Sequence, residues 1–325
     1  MIVTGGAGFI GSHLTERLVK EGCQVTVLDN LAGGNPKNLA SLRDNDNLTL
    51  VEMDITNYPD LSPIFRNVDW VFHLAGLADI VPSIDNPTKY HKANVDGTIA
   101  ILEASRQANI KRFVYAASSS CYGIPDTFPT NELDQIKPMY PYALTKYIGE
   151  ECVLHWNKVY KIPTISLRLF NVYGPRVRTA GTYGAVLGVF LAQKLAGEPF
   201  TVVGDGTQTR DFTFVTDVVD CFVKAAESDL AGEIFNVGSG GTYSINYLAE
   251  LLDGPVVYLP KRPGEPDCTF ADISKVKSKL GWDPKVTLED GVRLLLDDLG
   301  QWQDAPLWDV ESITDVTKDW FKYLG

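Results

Sequence analysis

A tyrosine and a lysine four positions apart are the residues of this chain best suited to acid–base chemistry. Tyr142 and Lys146 occur in the segment Tyr-Ala-Leu-Thr-Lys, and on a helix this spacing places both side chains on one face. An ammonium beside a phenol stabilises the phenolate. We therefore expect Lys146 to lower the pKa of Tyr142 from its usual value of ~10 and make it a general base. The alternative interpretation is a tyrosine–lysine pair on the protein surface that has the same spacing but no catalytic function.

A serine-rich segment could supply a hydroxyl beside that phenol. Ser118, Ser119 and Ser120 follow an apolar run at 113–116 that predicts a strand. Ligands of open α/β sheets bind at the carboxyl ends of the strands. We therefore expect Ser118, nearest the strand end, to hydrogen-bond a substrate oxygen beside the phenol. The alternative is a solvated turn.

A glycine-rich turn near the start of the chain is typical of dinucleotide-binding loops. Its first glycine allows a tight turn, its second allows the backbone to approach a pyrophosphate, and its third lets the next helix, predicted at 12–19, pack on the strand. The helix N-terminus attracts the anion. A purely structural turn is the alternative. The predicted cofactor contacts in this turn are Gly5, Gly8, Phe9, Ile10 and Gly11.

Two carboxylates at predicted strand ends extend this cofactor site. Asp29 follows the last glycine at about the 20-residue distance expected for a carboxylate on a ribose 2′-hydroxyl. Because it would repel a 2′-phosphate, it favours NAD over NADP. It could instead only cap the loop that begins at Asn30. Asp54, after the third strand, holds the adenine or forms a turn, and both interpretations stay open. Asn30 and Ile55 are assigned to the same site.

The elements that must position these residues alternate along the first 170 residues. Apolar β-rich runs at 1–4, 24–29, 48–53, 70–74, 113–116 and 164–169 alternate with helical patterns, which predicts a parallel sheet with helices on both faces. One helix should begin at Pro87, capped by Asn86, and run toward Asn109. Another should cover 141–160. After Asn171, glycine and proline clusters predict a smaller, loop-rich lobe that recognises the substrate.

Length, charge and composition exclude several classes of protein. The 325 residues, 45% hydrophobic and 22% charged, suit a globular protein of one large α/β unit or two domains. The net charge of −12 argues against broad binding of nucleic acid or anionic lipid, so phosphates must be held locally. Scattered cysteines and the lack of a signal-like leader or an apolar run of ~18 residues predict a cytoplasmic protein. The histidines show no metal-ligand spacing, and we expect His73 to be a buried strand-end residue.

Together these motifs make the chain resemble the extended short-chain dehydrogenase/reductase family, and within it the nucleotide-sugar epimerases and dehydratases. Further matching segments are 73–75, Asn94, 168–176, 204–212, 235–238 and 262–265. The expected fold is α/β, with a Rossmann-type doubly wound parallel sheet and a smaller C-terminal α/β substrate-binding lobe. We expect an NAD-binding domain at 1–170, to which about 205–240 returns. Residues 171–325 would form mainly the nucleotide-sugar lobe and a helical C-terminal extension.

The resemblance also implies roles that spacing does not show. Leu74, Ala75 and Asn94 would join the cofactor site, and the two long helices would pair across a two-fold axis in a homodimer. Guanidinium groups suit phosphate, although a surface salt bridge is the alternative for each arginine. The implied nucleotide-sugar contacts are Ser118, Ser119, Ser120, Asn171, Arg210 and Arg262, with Val186 and Phe190 around the base.

Three activities follow from these residues. A 4-epimerase would use Tyr142 to take the proton of the sugar 4-hydroxyl while NAD accepts and then returns a hydride. A 4,6-dehydratase or a glucuronate decarboxylase needs carboxyl groups where this chain has Ser118–Ser120, so both are disfavoured. A non-enzymatic NAD-binding protein should lack the base. We therefore expect a UDP-sugar 4-epimerase acting on UDP-glucose, UDP-N-acetylglucosamine or both.

Two further positions bear on substrate choice and on the end of the chain. Thr269 resembles a position where galactose epimerases specialised for non-acetylated sugars carry tyrosine, so its small side chain predicts room for an N-acetyl group. It could instead be a plain strand residue. The segment Gly76-Leu77-Ala78-Asp79 departs from the usual pattern. The C-terminal extension at 301–325 predicts one amphipathic helix from Val310 to Tyr323, without an assigned role.

Overall fold

Seven parallel strands form the central sheet of the protein, whose computed structural model describes residues 1–177 and 186–325. In chain order the strands are β1 (Ile2–Thr4), β2 (Val25–Asp29), β3 (Leu48–Glu52), β4 (Trp70–His73), β5 (Arg112–Ser118), β6 (Thr164–Leu169), β7 (Val172–Tyr173), β8 (Phe200–Val203), β9 (Thr209–Arg210), β10 (Thr213–Phe214), β11 (Glu233–Val237), β12 (Tyr243–Ser244) and β13 (Val256–Leu259). In spatial order the strands of the central sheet are β11-β6-β5-β4-β1-β2-β3, which confirms the predicted doubly wound parallel sheet.

Helices cover both faces of this sheet and build much of the second lobe. They are α1 (Phe9–Lys20), α2 (Tyr58–Leu61), α3 (Ile80–Asp85), α4 (Pro87–His91), α5 (Gly97–Ala108), α6 (Pro141–Tyr160), α7 (Val186–Ala196), α8 (Val215–Glu227), α9 (Ile245–Leu252), α10 (Ser274–Leu280), α11 (Leu288–Leu296), α12 (Val310–Val316) and α13 (Lys318–Leu324). α6 has the predicted bounds, and α1 begins three residues earlier than predicted. Within the two described ranges, no helix has the length and apolar character needed to cross a membrane.

The helix predicted from Asn86 to Asn109 is interrupted. After α4 the chain makes a π-helical turn at Lys92–Asp96 and then continues as α5, which ends where Asn109 takes a left-handed conformation with φ of 51°. Pro87 is the first helical residue, as predicted, but the Asn86 side chain makes no capping hydrogen bond. The periodicity did not show the interruption because every segment has a buried apolar residue, Tyr90 in α4, Val95 in the π-helical turn and Ile101 in α5.

The buried apolar side chains of residues 1–177 and 186–325 form three clusters. α1 and α8 pack on one face of the sheet through residues such as Leu14 and Phe222. α5 and α6 pack on the other face through residues such as Ile101 and Val153. A third core lies in the second lobe, around Trp302. This lobe contains helices and a parallel pair, β8 with β13, so it is more regular than predicted. The limits assigned to the two domains stay predictions.

The C-terminal extension forms two helices instead of the single predicted one. The break lies at Thr317, which is 1% exposed, with backbone angles φ −98° and ψ 4°. Its hydroxyl donates to the Ile313 carbonyl oxygen at 2.7 Å. α12 therefore ends before this residue and α13 begins after it.

A buried ion pair fixes α6 on the sheet. The Arg168 guanidinium, on β6, lies 2.6 Å from a carboxylate oxygen of Glu150, and the two side chains are 3% and 1% exposed. The Ser166 hydroxyl donates to the same carboxylate at 2.7 Å. Because Tyr142, Lys146 and Glu150 follow one another at four-residue steps, this contact also sets the direction of the first two.

Candidate active site

A cavity of about 890 Å³ lies over the carboxyl ends of the sheet strands. This is where ligands of open α/β sheets bind, and the volume is at the upper end for a ligand pocket. Asn94 and Phe190 are the predicted site residues that do not line it. The predicted residues that do line it are Gly5, Gly8, Phe9, Ile10, Gly11, Asp29, Asn30, Asp54, Ile55, Leu74, Ala75, Ser118, Ser119, Ser120, Tyr142, Lys146, Asn171, Val186, Arg210, Arg262 and Thr269.

The glycine turn has the geometry that its sequence predicts. Gly5 has φ of +69°, and a Cβ atom there would lie 2.8 Å from the backbone nitrogen of Ala75. A Cβ at Gly11 would clash with the Gly5 carbonyl oxygen, so this glycine allows α1 to pack against the strand. Gly8 is the N-cap of α1 and provides no side-chain cap. The first backbone N–H groups of α1 therefore suit an anion.

The Asp29 carboxylate connects the glycine turn to the following loop. It accepts hydrogen bonds from the backbone N–H of Ala7 at 3.0 Å and of Leu31 at 2.9 Å. Asp29 therefore caps the loop, which was the alternative interpretation of this residue. The same carboxylate also lines the cavity.

Asp54 stabilises a turn, which was one of the two roles expected for it. Its carboxylate accepts from the backbone N–H and the hydroxyl of Thr56 and from the Asn30 amide. Burial alone would raise the pKa of Asp54, but these hydrogen bonds lower it. Asp54 and Asn30 therefore hold each other at the cavity edge.

Tyr142 and Ser118 meet at the end of β5. Burial raises the pKa of Tyr142, and a hydrogen bond with the Ser118 side chain partly offsets this shift. Ser118 is 8% exposed, and its hydroxyl oxygen also accepts from the Ser120 backbone N–H at 3.2 Å. The Tyr142 ring stacks on Tyr140, with ring centroids 6.4 Å apart and planes 6° apart. The phenol is thus held in one direction, toward the serine.

Lys146 does not have the effect on Tyr142 that the sequence predicted. Its ammonium lies 4.2 Å from the ring centroid of Tyr115, and it is not among the described groups that shift the pKa of Tyr142. Burial lowers the pKa of Lys146 to about 7, with Glu150 acting in the opposite direction. The expected lowering of the phenol pKa is therefore wrong for the protein without cofactor, because the ammonium faces a neutral ring and is itself desolvated.

Asn94 supports the cavity wall without lining it. Its amide oxygen accepts from the backbone N–H of Leu77 at 2.7 Å. Its amide nitrogen donates to the Leu77 carbonyl and the Thr145 hydroxyl, both at 3.0 Å. Asn94, assigned from the sequence to the cofactor, thus holds the loop after β4 against α6. The π-helical turn brings its side chain to this position.

Phe190 likewise packs behind the wall. It is fully buried, and its ring stacks on Phe200 with centroids 4.9 Å apart. The predicted contact of Phe190 with a base is therefore wrong, whereas Val186, one turn earlier, does line the cavity.

His73 lies at the end of β4, fully buried, as predicted. Its ring nitrogens hydrogen-bond the hydroxyls of Thr4 and Thr98. Burial lowers the pKa of His73 to about 3, so it is a neutral structural residue.

Two arginines and an asparagine from the second half of the chain also line the cavity. The Arg210 guanidinium donates to the Glu265 carboxylate at 2.9 Å, and Arg210 and Arg262 are each 8% exposed. Arg210 therefore forms a salt bridge, which was the alternative interpretation, but both partners of this salt bridge line the cavity. The Asn171 amide oxygen accepts from the Thr269 hydroxyl at 2.7 Å.

Among the cavity residues that the sequence analysis did not assign, two bear directly on the site. Asp79 lines it, and its charge raises the pKa of Tyr142. The sequence signal for Asp79 was the departure of segment 76–79 from the usual family pattern. Trp320, in α13, also lines the cavity. An amphipathic pattern shows which face of a helix is apolar but not which part of the protein it contacts.

Comparison with known proteins places these features in a family. A family model described as "NAD dependent epimerase/dehydratase family" matches residues 1–238. The UDP-glucose 4-epimerase of Mycolicibacterium smegmatis is 36% identical over 300 residues, which cover 90% of this chain and 95% of that protein. UDP-glucuronic acid decarboxylase 1 of Arabidopsis thaliana is 34% identical over 92% of this chain and 69% of its own length.

A solved structure agrees with these sequence matches. The UDP-glucuronic acid 4-epimerase of Bacillus cereus, in complex with UDP-glucuronic acid and NAD, is 34% identical and superposes with a TM-score of 0.87. The match covers 92% of this chain and 98% of that one. The chain therefore belongs to the NAD-dependent epimerase/dehydratase family, within the extended short-chain dehydrogenases/reductases.

Proposed function

We propose that this protein is a UDP-sugar 4-epimerase that acts on UDP-glucose, UDP-N-acetylglucosamine or both. The observation that carries the proposal is the hydrogen bond between Tyr142 and Ser118 in a cavity whose other end is a dinucleotide-type glycine turn. The 4-epimerase activities named for the Mycolicibacterium and Bacillus relatives support it.

The residues at the glycine turn fit NAD. Gly8 leaves space beside the N-terminus of α1 for a pyrophosphate. The Asp29 carboxylate, at the end of β2, is suited to a ribose hydroxyl and unsuited to a 2′-phosphate. NAD, when bound, supplies a hydride acceptor and returns the hydride at the end of the cycle.

Proton transfer is the task of the chain's own residues. Tyr142 takes the proton of the sugar 4-hydroxyl, and Ser118 hydrogen-bonds the same oxygen. Because burial raises the pKa of Tyr142, the phenol must be ionised by a positive charge nearby. Lys146, on the same face of α6, is the residue we assign to this role when NAD is bound, although in this structure its ammonium lies over the Tyr115 ring and does not shift the pKa of Tyr142.

The carboxylates of the cavity favour epimerisation over chemistry that needs an extra acid or base. Among the described residues that line it, the carboxylates are Asp29, Asp54, Asp79 and Glu265. Asp29 and Asp54 are engaged in turns at the glycine end, and Glu265 pairs with Arg210. Asp79 acts electrostatically on Tyr142, so a decarboxylase or dehydratase activity, the alternative function, would have to use it.

The proposal predicts interconversion of 4-epimers without net oxidation. With UDP-glucose, UDP-N-acetylglucosamine and UDP-glucuronate as test substrates, chromatography should detect the 4-epimer of at least one of the first two. Tyr142→Phe should retain NAD but lose about 10²-fold or more of the turnover, as is usual for a lost general base. Tyr147→Phe, on the same helix, is the control with unchanged turnover. Formation of a decarboxylated or dehydrated product would contradict the proposal.

Lys146 should reduce the stability of the protein without cofactor. Burial lowers its pKa to about 7 from 10.5, so the cost of burying the ammonium is fully present below pH 7. This cost disappears as the pH rises from 7 toward 10.5. Lys146→Met should therefore raise the melting temperature by a few degrees near pH 6, and this gain should shrink above pH 7.

Thermal unfolding of cofactor-free protein at several pH values measures this effect. Lys158→Met, at an exposed position of the same helix, is the matched control and should change the melting temperature little at any pH. A gain at Lys146 that does not depend on pH would show that its buried charge is not the cause.

Thr269 should decide whether an N-acetylated sugar is accepted. Its hydroxyl contacts Asn171 at the cavity wall, and a tyrosine there would fill the space needed by a 2-N-acetyl group. Thr269→Tyr should reduce activity on UDP-N-acetylglucosamine about tenfold more than activity on UDP-glucose. Thr269→Ser keeps the hydroxyl without the bulk and should preserve the ratio. Equal losses on both substrates, or a parent enzyme inactive on the acetylated sugar, would place specificity elsewhere.

We further propose that the protein is a homodimer paired through α5 and α6. Leu144, Val159 and Tyr160 of α6 are 46%, 49% and 47% exposed, and burying such side chains would stabilise an interface. Light scattering at micromolar concentration should give twice the mass of the chain. A monomer mass would refute this pairing.

A further inference from the structure

The last helix, α13, contributes a side chain to the active-site cavity. Trp320 of α13 is 4% exposed and lines the same cavity as the glycine turn and Tyr142. Residues of the extension before it are fixed to the second lobe, because Trp302 lies in that core and the Gln193 amide donates to the Trp308 carbonyl oxygen at 2.7 Å. The extension therefore starts on one lobe and brings an indole to the shared cavity.

Trp320 contacts the loop that carries Arg262. The Arg262 guanidinium carbon lies 5.6 Å from the centre of the indole ring. The indole N–H donates to the carbonyl oxygen of Pro263, the next residue, at 2.7 Å. One side chain thus holds both the charged group of Arg262 and the backbone beside it.

The same indole packs on the side of the cavity that carries the base. Its ring centroid lies 6.2 Å from that of Tyr140, and Tyr140 stacks in turn on Tyr142. α13 also packs on α3, in the first half of the chain. Trp320 therefore connects the arginine loop of the second lobe to the sheet domain at the mouth of the cavity.

We propose that Trp320 is a positioning residue for substrate binding, which holds Arg262 in place for the diphosphate of the nucleotide sugar. The proposal rests on the UDP-sugar epimerase function argued above. It makes the C-terminal helix pair a part of the substrate site.

The physical basis is the geometry of a guanidinium on an aromatic face. A guanidinium that lies over an aromatic ring can still donate hydrogen bonds from its edge to phosphate oxygens. The rotamer freedom that a long side chain loses on binding is then already lost in the free protein. In a chain with a net charge of −12, a fixed cation at the cavity has particular value for holding a diphosphate.

The test separates diphosphate binding from binding of the nucleoside. Calorimetry with UDP and with uridine is carried out on the NAD-loaded enzyme and its variants. Trp320→Ala should weaken UDP binding about threefold to tenfold and leave uridine binding unchanged. With the sugar substrate, KM should rise by a similar factor while kcat stays within about twofold of the parent value.

Two variants provide the controls. Trp320→Phe keeps an aromatic face for Arg262 and should restore UDP binding to within about twofold of the parent. Tyr323→Ala changes an exposed ring on the same helix, 61% exposed, and should bind UDP as the parent does. Equal weakening for UDP and uridine, or no weakening for either, would overturn the proposal.

Failure of the proposed function would look different. A parent enzyme that binds no UDP and converts no UDP-sugar would refute the epimerase proposal itself. If Trp320→Ala does not fold, hydrogen exchange of the parent decides the matter. UDP should slow exchange in α13 and leave α10 unchanged, and unchanged exchange in α13 would overturn the positioning role.

Discussion

The ion pair between Glu150 and Arg168 is the contact on which the active site depends. It connects the middle of α6 to the last strand but one of the sheet, with both groups almost fully buried. Separating one charge from the other inside the protein would cost about 3–5 kcal/mol, so α6 cannot turn about its axis at low cost. Tyr142 and Lys146 lie on the turns that precede Glu150, and the hydrogen bond of Tyr142 to Ser118 requires that orientation.

The other residues of the site are of two kinds. Some line the cavity, and others keep the lining residues in position through hydrogen bonds. Asn94 belongs to the second kind, since its amide links the loop after β4 to α6 through Leu77 and Thr145. Asp29 belongs to both, because it lines the cavity and also fixes the glycine turn. The preorganisation of the site is thus distributed over buried polar groups that have hydrogen-bond partners within the protein.

Sequence patterns predicted the parts of the site that depend on local geometry. The glycine turn, the strand-end position of Ser118 and the bounds of α6 follow from spacing within one or two elements. Asn94, Phe190 and Trp320 could not be placed, because their positions depend on which distant residues they pack against. The sequence also could not predict the effect of Lys146 on the pKa of Tyr142. A shared helix face gives no information on the desolvation that lowers the pKa of the lysine.

The strand order has a consequence for synthesis of the chain. β6 ends at Leu169, and its outer neighbour β11 begins only at Glu233. On the ribosome, β6 therefore remains an open strand edge until the 63 residues between these strands, which include the first part of the second lobe, have been translated. Such an edge can pair with other chains. A pause or truncation between these strands would leave an incomplete sheet exposed to aggregation, even though the glycine turn and Tyr142 are already present. Completion of the sheet thus depends on the lobe that binds substrate.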